Sequence, residues 1–149
     1  MTNTNGTNVV ILGGVRTPIG KLSGIFADVP ATTLGSIAVT ESIERSHIDP
    51  NQVDYTIMGN VLGSGLGQAP ARQVSIHAGV PDTSSALTIN KMCASGIMSI
   101  ILGSQMIKAG DIEMAAVGGM ENMTRAPHVL LGSREGKRLG DLELVDTMV

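Results

Sequence analysis

The chain has 149 residues and a formal net charge of −3, and 42% of its residues are hydrophobic while only 15% are charged. This composition fits a single globular domain with a buried core. The acidic balance and the near absence of aromatic side chains argue against a nucleic-acid partner, which needs cationic and stacking surfaces. The only cysteine, Cys93, cannot form an internal disulfide, so a reducing, cytoplasmic location is expected.

The predicted elements alternate between strands and helices. Short apolar runs rich in β-branched residues predict buried strands. Apolar residues at helical spacing predict helices, and Asp49, Pro50 and Gln52 form the pattern of a capping box that starts a brief helical turn. In chain order, strands are predicted at 9–12, 53–58, 86–89 and 114–117, and helices at 33–46, 71–78 and 94–109.

This alternation predicts an α/β domain around a mixed, largely parallel sheet. The helix predicted over 94–109 is apolar nearly all round, which is typical of a helix buried at the centre of a protein. The densest apolar run, 97–102, is short and contains Ser99. A membrane span needs about 20 apolar residues, so no membrane partner is expected.

Cys93 lies at the bend between the third predicted strand and the helix that follows. A side chain on such a bend points out of the end of the sheet, as in nucleophile elbows. The unpaired N–H groups and the positive dipole end of the helix favour a thiolate over a thiol, and they can also bind an oxyanion. Free cysteine is also a common core residue, so position alone leaves both a nucleophile and a core filler open.

A structural interpretation is favoured for two other patterns. The glycine-rich stretch 59–68 has Gln68 where a dinucleotide-binding fingerprint needs Gly or Ala, which predicts a structural loop rather than a phosphate cradle. The three histidines are scattered, without further ligands at metal spacing, so no metal site is expected. These residues are His47, His77 and His128.

A basic cluster near the end of the chain has two interpretations. Arg134, Lys137 and Arg138 carry charges suited to the phosphates of a ligand, but a solvated basic face is the favoured interpretation. The segments starting at Asn5 and Asn122 match the glycosylation acceptor pattern, which has no meaning in an intracellular chain.

Several segments in sequence order resemble the thiolase family. The segment 90–96, Asn-Lys-Met-Cys-Ala-Ser-Gly, is similar to the acyl-enzyme motif of that family. This variant is most similar to the acetyl-CoA acetyltransferases of the family, and less similar to its degradative 3-ketoacyl-CoA thiolases. Three other segments also resemble the family. Residues 10–20 are similar to its opening strand and loop, and residues 59–73 and 118–128 are similar to two further signatures.

The resemblance implies a thiolase-like fold and an acyltransferase. The reaction would be the reversible condensation of two acetyl-CoA molecules to acetoacetyl-CoA and CoA, with coenzyme A thioesters as substrates and no permanent cofactor or metal. Cys93 would take the acyl group, and its own N–H would help to bind the oxyanion; no cofactor-binding residue is assigned. By the same resemblance, 1–119 would be the N-terminal domain and 120–149 would begin the loop domain that binds coenzyme A. The full-length enzyme would be a homodimer or homotetramer.

The resemblance also implies that this chain is the first third of a longer protein. The second cysteine of the family, which transfers protons, and its second oxyanion hole belong to C-terminal motifs that these residues do not include. His128 matches a family position but not the catalytic histidine. The chain alone is therefore expected to be inactive.

Three alternatives to an acetyl-CoA acetyltransferase remain open. They are a 3-ketoacyl-CoA thiolase of fatty-acid degradation, a decarboxylating ketoacyl synthase, and an inactive truncated fragment. The synthase is disfavoured because such enzymes lack the segment 118–124 in this form.

Overall fold

The main sheet of the protein consists of three parallel strands. The computed structural model describes residues 8–136 and 138–149. The glycosylation acceptor pattern at Asn5 and Lys137 of the basic cluster therefore lie outside the described residues. The strands are β1 (Tyr55–Gly59), β2 (Ser85–Ile89) and β3 (Ala115–Gly119), which confirms three of the four predicted strands. Their order in this sheet is β2-β1-β3, and both strand pairs are parallel.

The predicted helices are also present. They are α1 (Ala31–Arg45), α2 (Pro70–His77) and α3 (Ser95–Ala109), and the predicted helical turn is a 3-10 helix over Pro50–Gln52. The Asp49 side chain accepts a hydrogen bond from the backbone N–H of Asn51 at 2.9 Å, and the complete capping box forms. At the end of α3, Gly110 has a φ of 82°, a left-handed conformation that glycine adopts without steric cost.

The helices cover both faces of the sheet, as a parallel sheet requires. On one face, Met58 of β1 packs in a core cluster with residues of α1 and α2, including Val39 and Val74. On the other face, Gly103 of α3 lies so close to β3 that a Cβ atom there would be 2.8 Å from Val117 Cγ1. The fold is therefore a layered α/β domain with β1 at its centre.

Burial of α3 is limited to one stripe. Ser95, Ser99 and Gly103 are its buried residues, whereas Ile97 and Ile101 on the opposite side are exposed. The expectation of a buried central helix therefore holds only for the face that contacts the sheet, because no other described element covers the rest.

By length and composition alone, α3 and the residues before it could cross a membrane. Met92–Ala109 spans 18 residues with a mean hydropathy of 1.3, so the expectation that no segment approaches a membrane span is corrected. The core helix of a globular protein passes the same test, and Ser99 of this helix lies 2.9 Å from the carbonyl oxygen of Gly118 in the sheet.

The prediction of a strand at 9–12 is wrong. The segment forms no strand, and Val10, Ile11 and Leu12 are 68%, 77% and 58% exposed. It borders a cavity of about 710 Å³ whose other walls come from α1, α3 and β3. The segment pairs with no described strand, although the unpaired edge of β3 lines the same cavity, and a β-branched run forms a strand only where hydrogen bonds to a neighbour complete the ladder.

The end of the chain contains a hairpin that the sequence did not predict. Strands β4 (His128–Leu130) and β5 (Leu144–Asp146) pair antiparallel in a separate sheet. The division between a domain at 1–119 and the start of another at 120–149 stays a prediction.

Candidate active site

The thiol of Cys93 is exposed at the carboxyl end of the parallel sheet. Strand β2 ends at Ile89 and helix α3 begins at Ser95, so Cys93 lies in the tight bend between them, as predicted. The cysteine is free and its residue is exposed, which excludes a role as core filler in this chain. Ligands of open α/β sheets bind outside the carboxyl ends of the strands, and Cys93 lies in that region.

Side chains within the bend fix its shape. The Asn90 Oδ1 atom accepts a hydrogen bond from the N–H of Met92 at 2.9 Å. The Ser95 Oγ atom accepts from the N–H of Lys91 at 2.9 Å and donates to the carbonyl oxygen of Met92 at 2.6 Å. Met92 has a φ of 50°, and this left-handed conformation is uncommon for a residue with a side chain. The chain therefore turns sharply immediately before Cys93.

Two glycines at the ends of strands let α3 begin close to the sheet. A Cβ atom on Gly59 would lie 2.5 Å from the carbonyl carbon of Ser95, and one on Gly119 would lie 3.3 Å from the Cα atom of Gly96. Only glycine permits this approach at Gly59, because backbone atoms cannot move aside as a flexible side chain can. The start of α3 thus lies against the ends of β1 and β3.

The start of α3 also presents unpaired donors. The backbone N–H groups of Gly96 and Ile97 have no hydrogen-bond partner within residues 8–136 and 138–149. Such groups, with the helix dipole, attract negative charge. Cys93 lies three residues before Gly96, and this end of the helix can stabilise the oxyanion that forms when a thiol attacks a carbonyl.

Three polar residues surround this end of the sheet, and none of them was predicted from the sequence to have a role. Asn60 follows β1, Asn90 follows β2 and Glu121 follows β3. The Glu121 carboxylate accepts hydrogen bonds from the side chain of Asn60 and from two backbone N–H groups of the loop after β1. A polar residue within two positions of the end of each of the three strands is the sequence signal that could have found them.

The glycine-rich loop after β1 has internal support. The Gln73 Nε2 atom of α2 donates to the carbonyl oxygens of Leu66 and Gln68, at 2.7 and 3.0 Å. These bonds agree with the interpretation as a structural loop.

The remaining candidate residues are dispersed. His47 follows α1, His77 ends α2 and His128 begins β4, and no group of three or more metal-ligating side chains occurs in the described part of the chain. Arg134 and Arg138 are exposed in the segment between β4 and β5, which leaves both interpretations of the basic cluster open.

Comparison with known proteins decides the family. Residues 9–149 match the family described as the thiolase N-terminal domain. The chain belongs to the thiolase family. The crystal structure of the Acat5 thiolase from Ascaris suum in complex with coenzyme A has the same fold, with a TM-score of 0.87 and 38% sequence identity over 93% of this chain. The fold and family expected from the sequence are thereby confirmed.

Relatives in this thiolase family carry acetyltransferase names. The acetyl-CoA acetyltransferase of Cupriavidus necator is 50% identical over 143 residues, which are 96% of this chain and 36% of that relative. The acetyl-CoA acetyltransferase of Schizosaccharomyces pombe is 46% identical with the same coverage of both chains. This thiolase chain thus spans about 36% of the length of the relatives and of the Ascaris structure.

Proposed function

We propose that Cys93 accepts an acyl group from a coenzyme A thioester. Its thiolate attacks the thioester carbonyl carbon, and a bond forms between Cys93 Sγ and that carbon. The negative oxygen of the intermediate is stabilised by N–H groups at the start of α3. The bond from carbon to the coenzyme A sulfur then breaks, and the proton that left the cysteine goes to coenzyme A. The observation that carries this proposal is the exposed Cys93 thiol beside unpaired N–H groups.

The energetics of this step suit a cysteine. Transfer between two thiols exchanges one thioester for another, so the equilibrium is nearly balanced and coenzyme A can take the acyl group back. An acyl-serine would be an oxygen ester, which coenzyme A reopens less readily. One well-placed oxyanion donor contributes about 3 kcal/mol to such a step.

The complete reaction of the longer enzyme would be the reversible condensation of two acetyl-CoA molecules to acetoacetyl-CoA and CoA. The names of the Cupriavidus and Schizosaccharomyces relatives support an acetyl group over the longer chains of a degradative 3-ketoacyl-CoA thiolase. The coenzyme A in the Ascaris structure supports coenzyme A thioesters as substrates. We further propose a homodimer or homotetramer and a cytoplasmic location, where Cys93 stays reduced.

The test compares the reactivity of Cys93 in the folded and the unfolded chain. The purified chain is treated with iodoacetamide with and without urea, and the alkylation rate at Cys93 is followed by mass spectrometry. Because the proposal requires the folded bend to activate the Cys93 sulfur as a nucleophile, we expect the folded chain to react several-fold faster. A folded rate equal to or below the unfolded rate would contradict the proposal.

Acetyl transfer gives a second readout. After incubation with acetyl-CoA, a single acetyl group is expected on Cys93, and added coenzyme A should remove it. The Cys93→Ser variant should carry no acetyl group that coenzyme A can remove. The chain alone should form no acetoacetyl-CoA, since the second cysteine of the family is absent from its sequence. Formation of that product would show that the missing groups are not needed.

A further inference from the structure

We propose that the Glu121 carboxylate is a positioning group for the Cys93 bend. It acts through the backbone of Val61 and the side chain of Asn90. This inference rests on the proposed role of Cys93 for its importance to catalysis, but the structural coupling that it describes can be measured independently.

The first step of the coupling is a brace between the ends of β1 and β3. The Oε1 atom of Glu121 accepts hydrogen bonds from Asn60 Nδ2 at 2.8 Å and from the Leu62 N–H at 3.0 Å. Its Oε2 atom accepts from the Val61 N–H at 2.9 Å. One side chain therefore fixes the first residues of the loop after β1, although Glu121 is about 60 positions away in the sequence.

The second step leads from that loop to the Cys93 bend. The Val61 carbonyl oxygen lies 3.5 Å from Asn90 Nδ2, which makes this the longest contact of the series. The same Asn90 side chain accepts from the N–H of Met92, the residue with the left-handed φ directly before Cys93. The amide nitrogen of Asn90 thus contacts the loop that Glu121 binds, and its amide oxygen contacts the bend.

The charge of Glu121 matters for this arrangement. Its two carboxylate oxygens accept three N–H donors, and hydrogen bonds to an ionised group are stronger than those between neutral groups. The one ion pair found within the described ranges joins Arg45 and Glu41, so no cationic side chain there competes for Glu121. A glutamine at this position would have only one acceptor oxygen, and its NH₂ group would face a backbone donor.

A matched control exists at the opposite end of the same strands. The Asp54 Oδ2 atom accepts hydrogen bonds from the backbone N–H groups of Glu113 and Met114, at 2.8 and 2.9 Å. Asp54 therefore joins the amino ends of β1 and β3 as Glu121 joins their carboxyl ends. Substitutions of the two carboxylates should destabilise the sheet similarly, but only Glu121 is connected to Cys93.

The experiment measures amide hydrogen exchange by NMR in the full chain. In Glu121→Gln, exchange should accelerate at Val61 and Leu62, which lose the carboxylate, and also at Met92, by about tenfold. That factor corresponds to the loss of about one hydrogen bond. In Asp54→Asn, exchange at Met92 should stay at the wild-type rate.

A second variant separates the two steps. Asn90→Ala should accelerate exchange at Met92 and leave Leu62 unchanged, and combining it with Glu121→Gln should add nothing further at Met92. The inference is overturned if Glu121→Gln accelerates exchange at Leu62 but not at Met92, or if Asp54→Asn accelerates Met92 equally.

The reactivity of Cys93 links this coupling to the proposed function. Its alkylation by iodoacetamide should slow several-fold in Glu121→Gln and remain unchanged in Asp54→Asn. If folded wild-type Cys93 reacts no faster than unfolded Cys93, the proposed function fails while the exchange at Met92 still tests the coupling. If Cys93 reacts faster in the folded wild type but the exchange rate at Met92 is unchanged in Glu121→Gln, only the coupling is contradicted.

Discussion

The central strand β1 and the segment 9–12 on the outer side of β3 are both apolar, but β1 is buried and the segment is exposed. Around β1, Ile57 and Val74 have no exposed surface, and Thr88 Oγ1 of β2 accepts the N–H of Ala71 at the start of α2 at 2.8 Å. Beyond β3, the equally apolar segment 9–12 borders the cavity of about 710 Å³ and stays exposed. The difference lies in the strand pairing: among the described residues β1 pairs with a strand on each side, whereas β3 pairs only with β1 and its other edge faces the cavity that the segment 9–12 borders.

The largest expected difference between the two regions comes from removing an isoleucine side chain. Ile57→Ala, at a residue with 0% exposure, should lower the free energy of unfolding by about 4 kcal/mol, through lost burial and the cavity left behind. Ile11→Ala, at a residue that is 77% exposed, should change it by less than about 0.5 kcal/mol. Urea denaturation measures both, and similar losses would show that the segment 9–12 is packed after all.

Adding a methyl group should have a smaller but still clear effect. In Gly59→Ala, the new Cβ atom would meet the Ser95 backbone at 2.5 Å, so we expect a loss of about 2–3 kcal/mol. Gly14, on the cavity wall, has no atom within 4 Å of a Cβ placed there, so Gly14→Ala should be tolerated. The comparison fails if thermal unfolding shows the reverse order of stability.

The smallest expected effect concerns two serines of α3. The Ser99 hydroxyl is buried, 2.7 Å from the Gly96 carbonyl oxygen and 2.9 Å from that of Gly118. Ser99→Ala should cost about 1 kcal/mol by removing this hydrogen bond. Ser104→Ala, on the cavity side of the same helix, should cost nothing measurable because Ser104 makes no side-chain hydrogen bond with any described residue. Equal denaturation midpoints for the two variants would contradict the expected contribution of Ser99.

Local patterns were sufficient to predict much of the fold. The helices and the strands β1, β2 and β3 follow from apolar periodicity and from stop signals such as Gly110, which act over a few residues. The segment 9–12 was mispredicted because strand formation also needs a partner, which periodicity does not report. The hairpin of β4 and β5 was missed because each strand has only three residues and the two are far apart in the sequence.

The candidate site was only partly predictable for a similar reason. Cys93 could be found because the strand, bend and helix around it are consecutive in the chain. Asn60, Asn90 and Glu121 meet through the order β2-β1-β3, which a single sequence does not reveal. The positive φ of Met92 accompanies hydrogen bonds to Asn90 and Ser95 within the bend, and the residue is not the glycine that usually marks such a conformation.

The outer edge of β3 also affects how the domain behaves at high concentration. Its sequence, Ala-Ala-Val-Gly-Gly, has none of the charges or prolines with which natural sheets discourage intermolecular pairing. Among the described residues this edge is therefore open to an additional extended strand, which apolar side chains of α1 and α3 would shield from water. Self-association of the isolated 149-residue chain that rises with its concentration is the expected consequence of this unpaired edge.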